Sequence, residues 1–166
     1  MRQHEANKCV CCKRMEELTD TFASSSTGRN YKIRRVYTCK SSWVIYLVTC
    51  QACNIQYVGQ TTQELRKRHY GHRSDVRNGT AGLGKHFKEC HGQGKDLKVN
   101  ENLDICMESF SLVVVASVRP PATLEEQPAC QARLDRLEAD LQHRLRCMNE
   151  QGGMNIRDEN QRRPGL

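Results

Sequence analysis

Two short apolar runs separated by a cysteine-containing turn constrain the fold of this chain most strongly. Residues 43–49 are almost all β-branched or aromatic, which is typical of a strand. Cys50-Gln51-Ala52-Cys53 then predicts a turn, and residues 54–59 predict the returning strand. The pattern therefore predicts an antiparallel hairpin.

A helix is expected directly after this hairpin. Thr61 and Glu64 have the spacing of a capping box, and Gly79 is typical of a helix end. The helix is therefore predicted from the capping box to about residue 78. Residues 79–109 contain scattered glycines and are interpreted as mixed structure.

The C-terminal third predicts one more strand and one more helix. A continuous apolar run over residues 110–118 predicts a buried strand. Pro128 is typical of a first helical turn, and Gly152-Gly153 is expected to end the helix. The apolar stripe of this helix follows a helical spacing: Leu134, Leu137, Leu141, Leu145 and Met148.

Charge divides the chain into a basic part and an acidic part. The net charge is +7 at neutral pH. Lys and Arg outnumber Asp and Glu by nine to four in residues 1–40 and by eight to three in residues 41–95, whereas residues 96–166 hold nine basic and twelve acidic residues. A basic half beside an acidic half is compatible with a surface that binds a polyanion.

The cysteines indicate metal binding more than disulfide bonding. The chain has ten cysteines, and no secretory segment or run long enough to cross a bilayer is evident. We therefore expect an intracellular protein, in the nucleus, whose clustered thiols stay reduced and can bind metal.

Two tyrosines, an arginine and a histidine are predicted to come together. Tyr46 and Tyr57 lie on the two strands of the hairpin, and Arg68 and His72 share one face of the following helix. Cleaving a phosphodiester requires a base, a cation that holds the anionic transition state, and a metal that polarises the phosphate. These four side chains suit such a site better than an ordinary core.

Together these motifs resemble the GIY-YIG nuclease superfamily, and within it the endonuclease of Penelope-like retroelements is the most similar. Val44-Ile45-Tyr46 and Tyr57-Val58-Gly59 correspond to the two halves of the name, with valine in place of the first glycine. The likeness spans roughly residues 9–157. Further similar segments are Thr27 to Ile33, Leu47 to Cys53, Gln60-Thr61, Leu65 to Arg68, His72 to Asp75, Lys85-His86-Phe87 and Gly153 to Ile156.

The resemblance implies an α+β fold, with a small three-stranded antiparallel sheet flanked by helices and a cysteine-bearing N-terminal extension. The expected divisions are a basic extension over residues 1–40, the endonuclease domain over 41–157 and a disordered tail over 158–166. The implied activity is metal-dependent cleavage of DNA, by nicking or cutting. The alternative is a catalytically inactive, zinc-containing DNA-binding module of the same fold.

The resemblance also implies a role for each site residue. Tyr46 and Tyr57 would position or deprotonate the attacking water, and Arg68 would bind the scissile phosphate. His72 would contact the phosphate or assist proton transfer. Arg66 remains an alternative to Arg68, because the spacing after the second tyrosine varies.

Glu138 and Asn155 complete the implied site. Glu138 would hold one Mg²⁺ (or Mn²⁺), and Asn155 would be a supporting polar residue. The apolar stripe gives Glu138 independent support, because at ~100° per residue it lies roughly 20° beyond Leu145, at the edge of the stripe. The competing interpretation is an ordinary glutamate that extends into solvent.

A structural zinc site is predicted at the hairpin turn. Cys50 and Cys53, with His86 and His91, could form a tetrahedral Cys₂His₂ site. It would join the turn to the segment that follows the helix of Arg68. Cys90 remains an alternative to His91. Three further cysteines offer a second metal site without an evident fourth ligand: Cys9, Cys12 and Cys39.

Overall fold

The computed structural model describes residues 9–16 and 19–156. The elements, in chain order, are β1 (Thr21–Ala23), β2 (Asn30–Lys32), β3 (Val44–Cys50), β4 (Ile55–Thr61), α1 (Leu65–Asn78), α2 (Ala81–His91), α3 (Asn100–Cys106), β5 (Phe110–Ser117) and α4 (Gln127–Leu145). Within the described residues there are two short 3₁₀ turns, at Cys12–Arg14 and Asn149–Gln151. None of the described helices is long and apolar enough to cross a membrane.

A three-stranded antiparallel sheet of order β4-β3-β5 forms the centre, which confirms the predicted α+β fold. The predicted hairpin is the β3–β4 pair, with Tyr46 opposite Gly59 and Tyr57 opposite Val48. Strand β3 is central because it pairs on both sides, so β4 is left as an edge strand. A separate two-stranded sheet pairs β1 with β2.

Alternate residues of the strands point to opposite faces, and each face has its own core. One face, here called the tyrosine face, packs against α1, α2 and α3, and includes Tyr46 and Tyr57. The other, here called the α4 face, packs against α4 through strand residues such as Ile45, Leu47 and Val58. Helices therefore cover both faces of the sheet.

The described part of residues 9–40 packs onto the rest of the chain. Cys11 and Cys39 are buried in the core of the tyrosine face, and Phe22 is buried in the core of the α4 face. The Ser24 hydroxyl donates to the carbonyl of Leu145 over 3.0 Å. The predicted boundary near residue 40 stays a prediction, and the predicted tail over 158–166 lies outside the described residues.

The predicted capping box is wrong. Thr61 belongs to β4, its hydroxyl bonds to Gln63, and α1 begins only at Leu65 with no side-chain cap. The first turn is satisfied by another part of the chain instead. Leu65 N donates to the Ser41 carbonyl over 2.9 Å, and Arg66 N donates to the Cys39 carbonyl over 2.8 Å.

Residues 79–109 hold two helices that the glycine content concealed. Gly82 and Gly84 lie inside α2, where glycine is an unfavourable helix residue. A Cβ atom at Gly82 would overlap the Met154 carbonyl, and one at Gly84 would overlap the Asp75 carbonyl. These glycines permit close packing, so tertiary contact outweighs their low helix propensity.

The last helix is shorter than predicted. It begins near Pro128 as expected but ends at Leu145, because Arg146 takes the left-handed conformation. Met148 therefore does not extend the apolar stripe. The segment after the helix returns to β4, where Met154 N donates to the Gln56 carbonyl over 2.9 Å.

Candidate active site

The two tyrosines lie side by side on the tyrosine face. Their ring centroids are 6.5 Å apart, and Tyr46 is completely buried while Tyr57 is 6% exposed. Gly59 makes this arrangement possible, since a Cβ there would overlap both the Tyr46 hydroxyl and the Tyr57 ring. The Tyr46 hydroxyl therefore reaches across the backbone of β4, the edge strand.

Helix α1 brings Arg68 and His72 onto the Tyr46 hydroxyl. The hydroxyl lies 2.7 Å from His72 Nε2, and Arg68 Nε donates to it over 3.1 Å. The residues are four apart and so share one helix face. Arg66 is bound elsewhere, by an ion pair with Glu64 at 2.6 Å. The arginine that meets the tyrosines is therefore Arg68.

Burial keeps both Tyr46 and His72 in their neutral forms. It raises the pKa of Tyr46 to about 12, although Arg68 lowers it. Burial also lowers the pKa of His72 to about 4, although Asp75 raises it. A neutral imidazole has one N–H, and its Nδ1 faces Asp75. The geometry therefore assigns the proton to Nδ1, so that Nε2 accepts from the Tyr46 hydroxyl.

Asp75 is a site residue that the sequence reasoning missed. Its Oδ2 lies 3.4 Å from His72 Nδ1 and 4.0 Å from Arg68 Nη1. The Thr80 hydroxyl donates to its other oxygen over 3.1 Å. Although burial acts in the opposite direction, the contacts with His72, Arg68 and Thr80 lower the pKa of Asp75. The spacing of three from His72 could have indicated this residue.

Helix α4 contributes Glu138 to the surroundings of the Tyr46 site. This glutamate is only 4% exposed, and Gln60 Nε2 donates to its Oε2 over 2.6 Å. Gln60 directly follows Gly59 in the edge strand. Glu138 is near enough to Tyr46 for its negative charge to raise the pKa of the tyrosine. The ordinary solvent-exposed glutamate is therefore not what the structure shows. Gln60 also bonds to Asp135 over 2.8 Å and is a second residue that the sequence reasoning missed.

Asn155 binds the edge of β4 instead of the tyrosines. Its Oδ1 accepts from Val58 N over 2.8 Å, and its Nδ2 donates to the Val58 carbonyl over 2.7 Å. The side chain thus replaces the backbone of a neighbouring strand. Because Val58 lies between Tyr57 and Gly59, this pair of bonds fixes the part of β4 that shapes the site.

A Cys/His group lies at the hairpin turn, and it comprises the four predicted residues: Cys50, Cys53, His86 and His91. One ligand atom from each lies within 4.8 Å of the others. His91 Nε2 is 3.2 Å from Cys50 Sγ and 3.7 Å from Cys53 Sγ. Ligands of a tetrahedral zinc ion are separated by roughly 3.3–3.8 Å. The donors therefore fit zinc.

The Cys90 alternative is less favourable by geometry. Cys90 Sγ lies 3.7 Å from His86 Nδ1 but does not belong to the group of four converging atoms. His91 does belong to it and meets both hairpin sulfurs. The described geometry therefore favours His91 as the fourth donor.

Comparison with known proteins gives one result, and it concerns this part of the chain. Residues 42–101 match the family model of the GIY-YIG catalytic domain. Over these residues the chain is similar to the GIY-YIG catalytic domain, and this similarity supports a nuclease-type function. The match includes Tyr46, Tyr57, Arg68 and His72, and ends before α4. No curated protein and no solved structure matches the chain.

Proposed function

We propose that this protein is a metal-dependent DNA endonuclease, derived from the endonuclease of a Penelope-like retroelement and acting in the nucleus. The observation that carries the proposal is the Tyr46 hydroxyl, which contacts His72 and Arg68 together inside the GIY-YIG match. A phenol and a neutral imidazole can serve as the base, and a fixed cation can hold the anionic transition state, so two requirements of phosphodiester hydrolysis meet at one point.

Proton transfer begins at the tyrosine pair. Attacking water loses its proton to Tyr46 as the Tyr46 proton moves to His72 Nε2, which already accepts the hydroxyl at 2.7 Å. Asp75, beside Nδ1, stabilises the imidazolium that results. Tyr57 lies against His72 with ring centroids 5.8 Å apart and helps to position the water.

Arg68 supplies the charge that binds the phosphate. About a third of its side chain is exposed, although its Nε is fixed on Tyr46, so its other donors can reach an incoming phosphate. A guanidinium fork matches two phosphate oxygens and stays charged at every working pH. Bound phosphate would thus lie directly beside the attacking water.

Glu138 fits the role of the Mg²⁺ ligand. Its carboxylate is a hard oxygen donor, held by Gln60 at the strand edge crossed by Tyr46. A divalent ion bound there would polarise the phosphate and lower the pKa of nearby water. The buried carboxylate gives Glu138 the required donor chemistry without any change of fold.

We also propose a structural zinc ion at Cys50, Cys53, His86 and His91. It would fasten the β3–β4 turn to α2, and through β4 it would stiffen the strand that carries Tyr57. Chelation should lower the melting temperature by several degrees. An unchanged melting temperature in metal-free protein would contradict a structural zinc ion at this site.

The second candidate is a DNA-binding module without activity. It is favoured by the complete burial of Tyr46 and by its pKa of about 12, which keeps the phenol protonated in the free protein. In this alternative the site residues only stabilise the core. A metal ion at the Cys/His group then holds the β3–β4 turn in the conformation that binds DNA.

A plasmid-nicking assay in Mg²⁺ separates the two candidates. Wild type should convert supercoiled plasmid to the nicked form, Arg68→Ala should not, and Arg66→Ala should remain close to wild type. The control is matched because it removes the same charge from the same helix. If wild type retards DNA in a gel but never nicks it, the second candidate is correct. Equal nicking by all three proteins would contradict the assigned role of Arg68.

A further inference from the structure

Three cysteines outside the active site converge at one point. The sulfurs of Cys9, Cys12 and Cys39 all lie within 4.8 Å of one another. They come from two segments more than twenty residues apart, so their proximity is produced by the fold. In a tetrahedral zinc site with bonds of about 2.3 Å, sulfurs are about 3.8 Å apart. The three sulfurs are therefore close enough to one another to bind a single metal ion.

Both segments are held by their own hydrogen bonds. Lys13 N donates to the Cys9 carbonyl over 3.3 Å. A 3₁₀ turn then runs over Cys12–Arg14. Around Cys39, Thr38 N donates to the Ser41 hydroxyl over 2.9 Å, and Ser41 N donates to the Thr38 carbonyl over 2.9 Å. The three sulfurs are therefore presented by two ordered turns.

Core packing accounts for Cys11 and also encloses Cys39, whereas Cys9 and Cys12 lie at the margin of the same core. Cys11 is completely buried in the core of the tyrosine face. Cys9 and Cys12, on either side of it, are only half-buried and turn toward Cys39 instead. The sequence Cys9-Val10-Cys11-Cys12 thus divides its thiols between a core position and a converging pair.

We propose that Cys9, Cys12 and Cys39 bind a second structural zinc ion, with water or a further side chain in the fourth position. Three soft thiolates select zinc over the hard cation expected at Glu138. This site is independent of the proposed nuclease activity and of the zinc at the hairpin turn. It assigns a metal-binding function to the cysteines of the N-terminal segment.

The proposed zinc site lies next to the start of α1. The Cys39 carbonyl accepts from Arg66 N, and the Ser41 carbonyl accepts from Leu65 N, so this turn holds the first turn of α1. Zinc at Cys39 would fix the turn to residues 9–12. The first zinc would then brace the tyrosine hairpin, and the second would brace the helix that carries Arg68 and His72.

Zinc counting on the full-length protein tests the proposal. Native mass spectrometry should find two zinc ions on wild type, one on Cys12→Ser, one on Cys53→Ser and none on the double variant. Cys130→Ser is the matched control, since it replaces a buried thiol of α4 and should keep both ions. One ion on wild type that Cys53→Ser removes completely would overturn the proposal, and so would two ions on Cys12→Ser.

Cobalt spectroscopy keeps the test decisive if Cys12→Ser does not fold. The hairpin variant Cys53→Ser, which retains all three N-terminal thiols, should bind one Co²⁺ and show the sulfur-to-cobalt charge-transfer band of a three-thiolate site. Absence of that band in folded protein contradicts the proposal. A mass two hydrogens lower, indicating a disulfide among the three cysteines, contradicts it as well.

Discussion

The two faces of the central sheet use alternate residues of the same strands, yet they bury different chemistry. The core of the α4 face is largely aliphatic, with Leu134 and Leu145 completely buried. The tyrosine face encloses Tyr46, His69 and His72, each at most 2% exposed. Burying ionisable groups is unfavourable unless they have partners or a function. The aliphatic core of the α4 face thus stabilises the fold, whereas the tyrosine face gives up some stability to assemble a reactive group. Helix α4 adds Glu138 to that group at the edge of β4.

Apart from changes to the Tyr46–His72–Arg68 contact itself, the largest expected effect is the loss of cleavage in Glu138→Gln. The substitution keeps the size of the side chain and its neighbour Gln60 but removes the charge that would hold the metal. We expect the nicking rate in Mg²⁺ to fall on the order of 10³-fold, equivalent to several kcal/mol. Asp135→Asn is the control, because Asp135 bonds to the same Gln60 but is exposed on the helix surface. Equal losses in both variants would show a general effect of charge.

A cavity in the α4 face should have the opposite consequence. Leu134→Ala is expected to lower the free energy of unfolding by about 2–5 kcal/mol, measured by urea denaturation, because the leucine is completely buried. Cleavage per folded molecule should stay near wild type. If cleavage instead fell as far as in Glu138→Gln while the protein remained folded, the aliphatic core of the α4 face would not be functionally distinct from the site residues.

Acid should destabilise the tyrosine face specifically. His69 packs edge-on against Phe110, and its ring nitrogens have no hydrogen-bond partner among the described residues. Burial lowers the pKa of His69 to about 3 from 6.5. The unfolded chain therefore binds more protons between those values, and stability falls as pH falls from about 6.5 toward 3.

Replacing the histidine measures this effect. In His69→Gln the pH-dependent loss should be smaller than in wild type, by roughly 2–3 kcal/mol at pH 4. His143→Gln, at an exposed position on α4, should leave the wild-type pH dependence intact. The comparison is made by urea denaturation between pH 4 and 7. Parallel curves for wild type and His69→Gln would contradict the account of this buried histidine.

The smallest effect is expected at Asp75, which acts through His72. Asp75→Asn should reduce cleavage on the order of tenfold, below the ~10²–10⁴ expected of a general acid–base group. The pH profile should shift as well, since the carboxylate raises the pKa of His72. Asp75→Glu should restore part of the rate. A rate loss without any change of the pH profile would indicate a purely structural role.

The hairpin and the helix after it could be predicted because their determinants are local. β-Branched and aromatic runs indicated β3 and β4, and the spacing of Arg68 and His72 placed both on one helix face. The family resemblance then indicated Glu138, which lies in a distant helix and could not have been connected to Tyr46 by periodicity alone. Its burial was anticipated only from its position at the edge of the apolar stripe.

Contacts between distant segments produced the errors and omissions. The start of α1 is set by carbonyls of Ser41 and Cys39, which no capping pattern encodes. Helix α2 was missed because Gly82 makes room for Met154. Gln60 was overlooked for the same reason, since its role depends on α4 lying beside the edge strand.

Tyr46→Phe tests the central claim most directly, because it removes one hydroxyl and preserves the ring. Nicking of supercoiled plasmid in Mg²⁺ should be lost, while circular dichroism and gel retardation of DNA remain as in wild type. The reason is that His72 Nε2 and Arg68 Nε both contact that hydroxyl. Folded Tyr46→Phe that nicks plasmid at the wild-type rate would contradict the account.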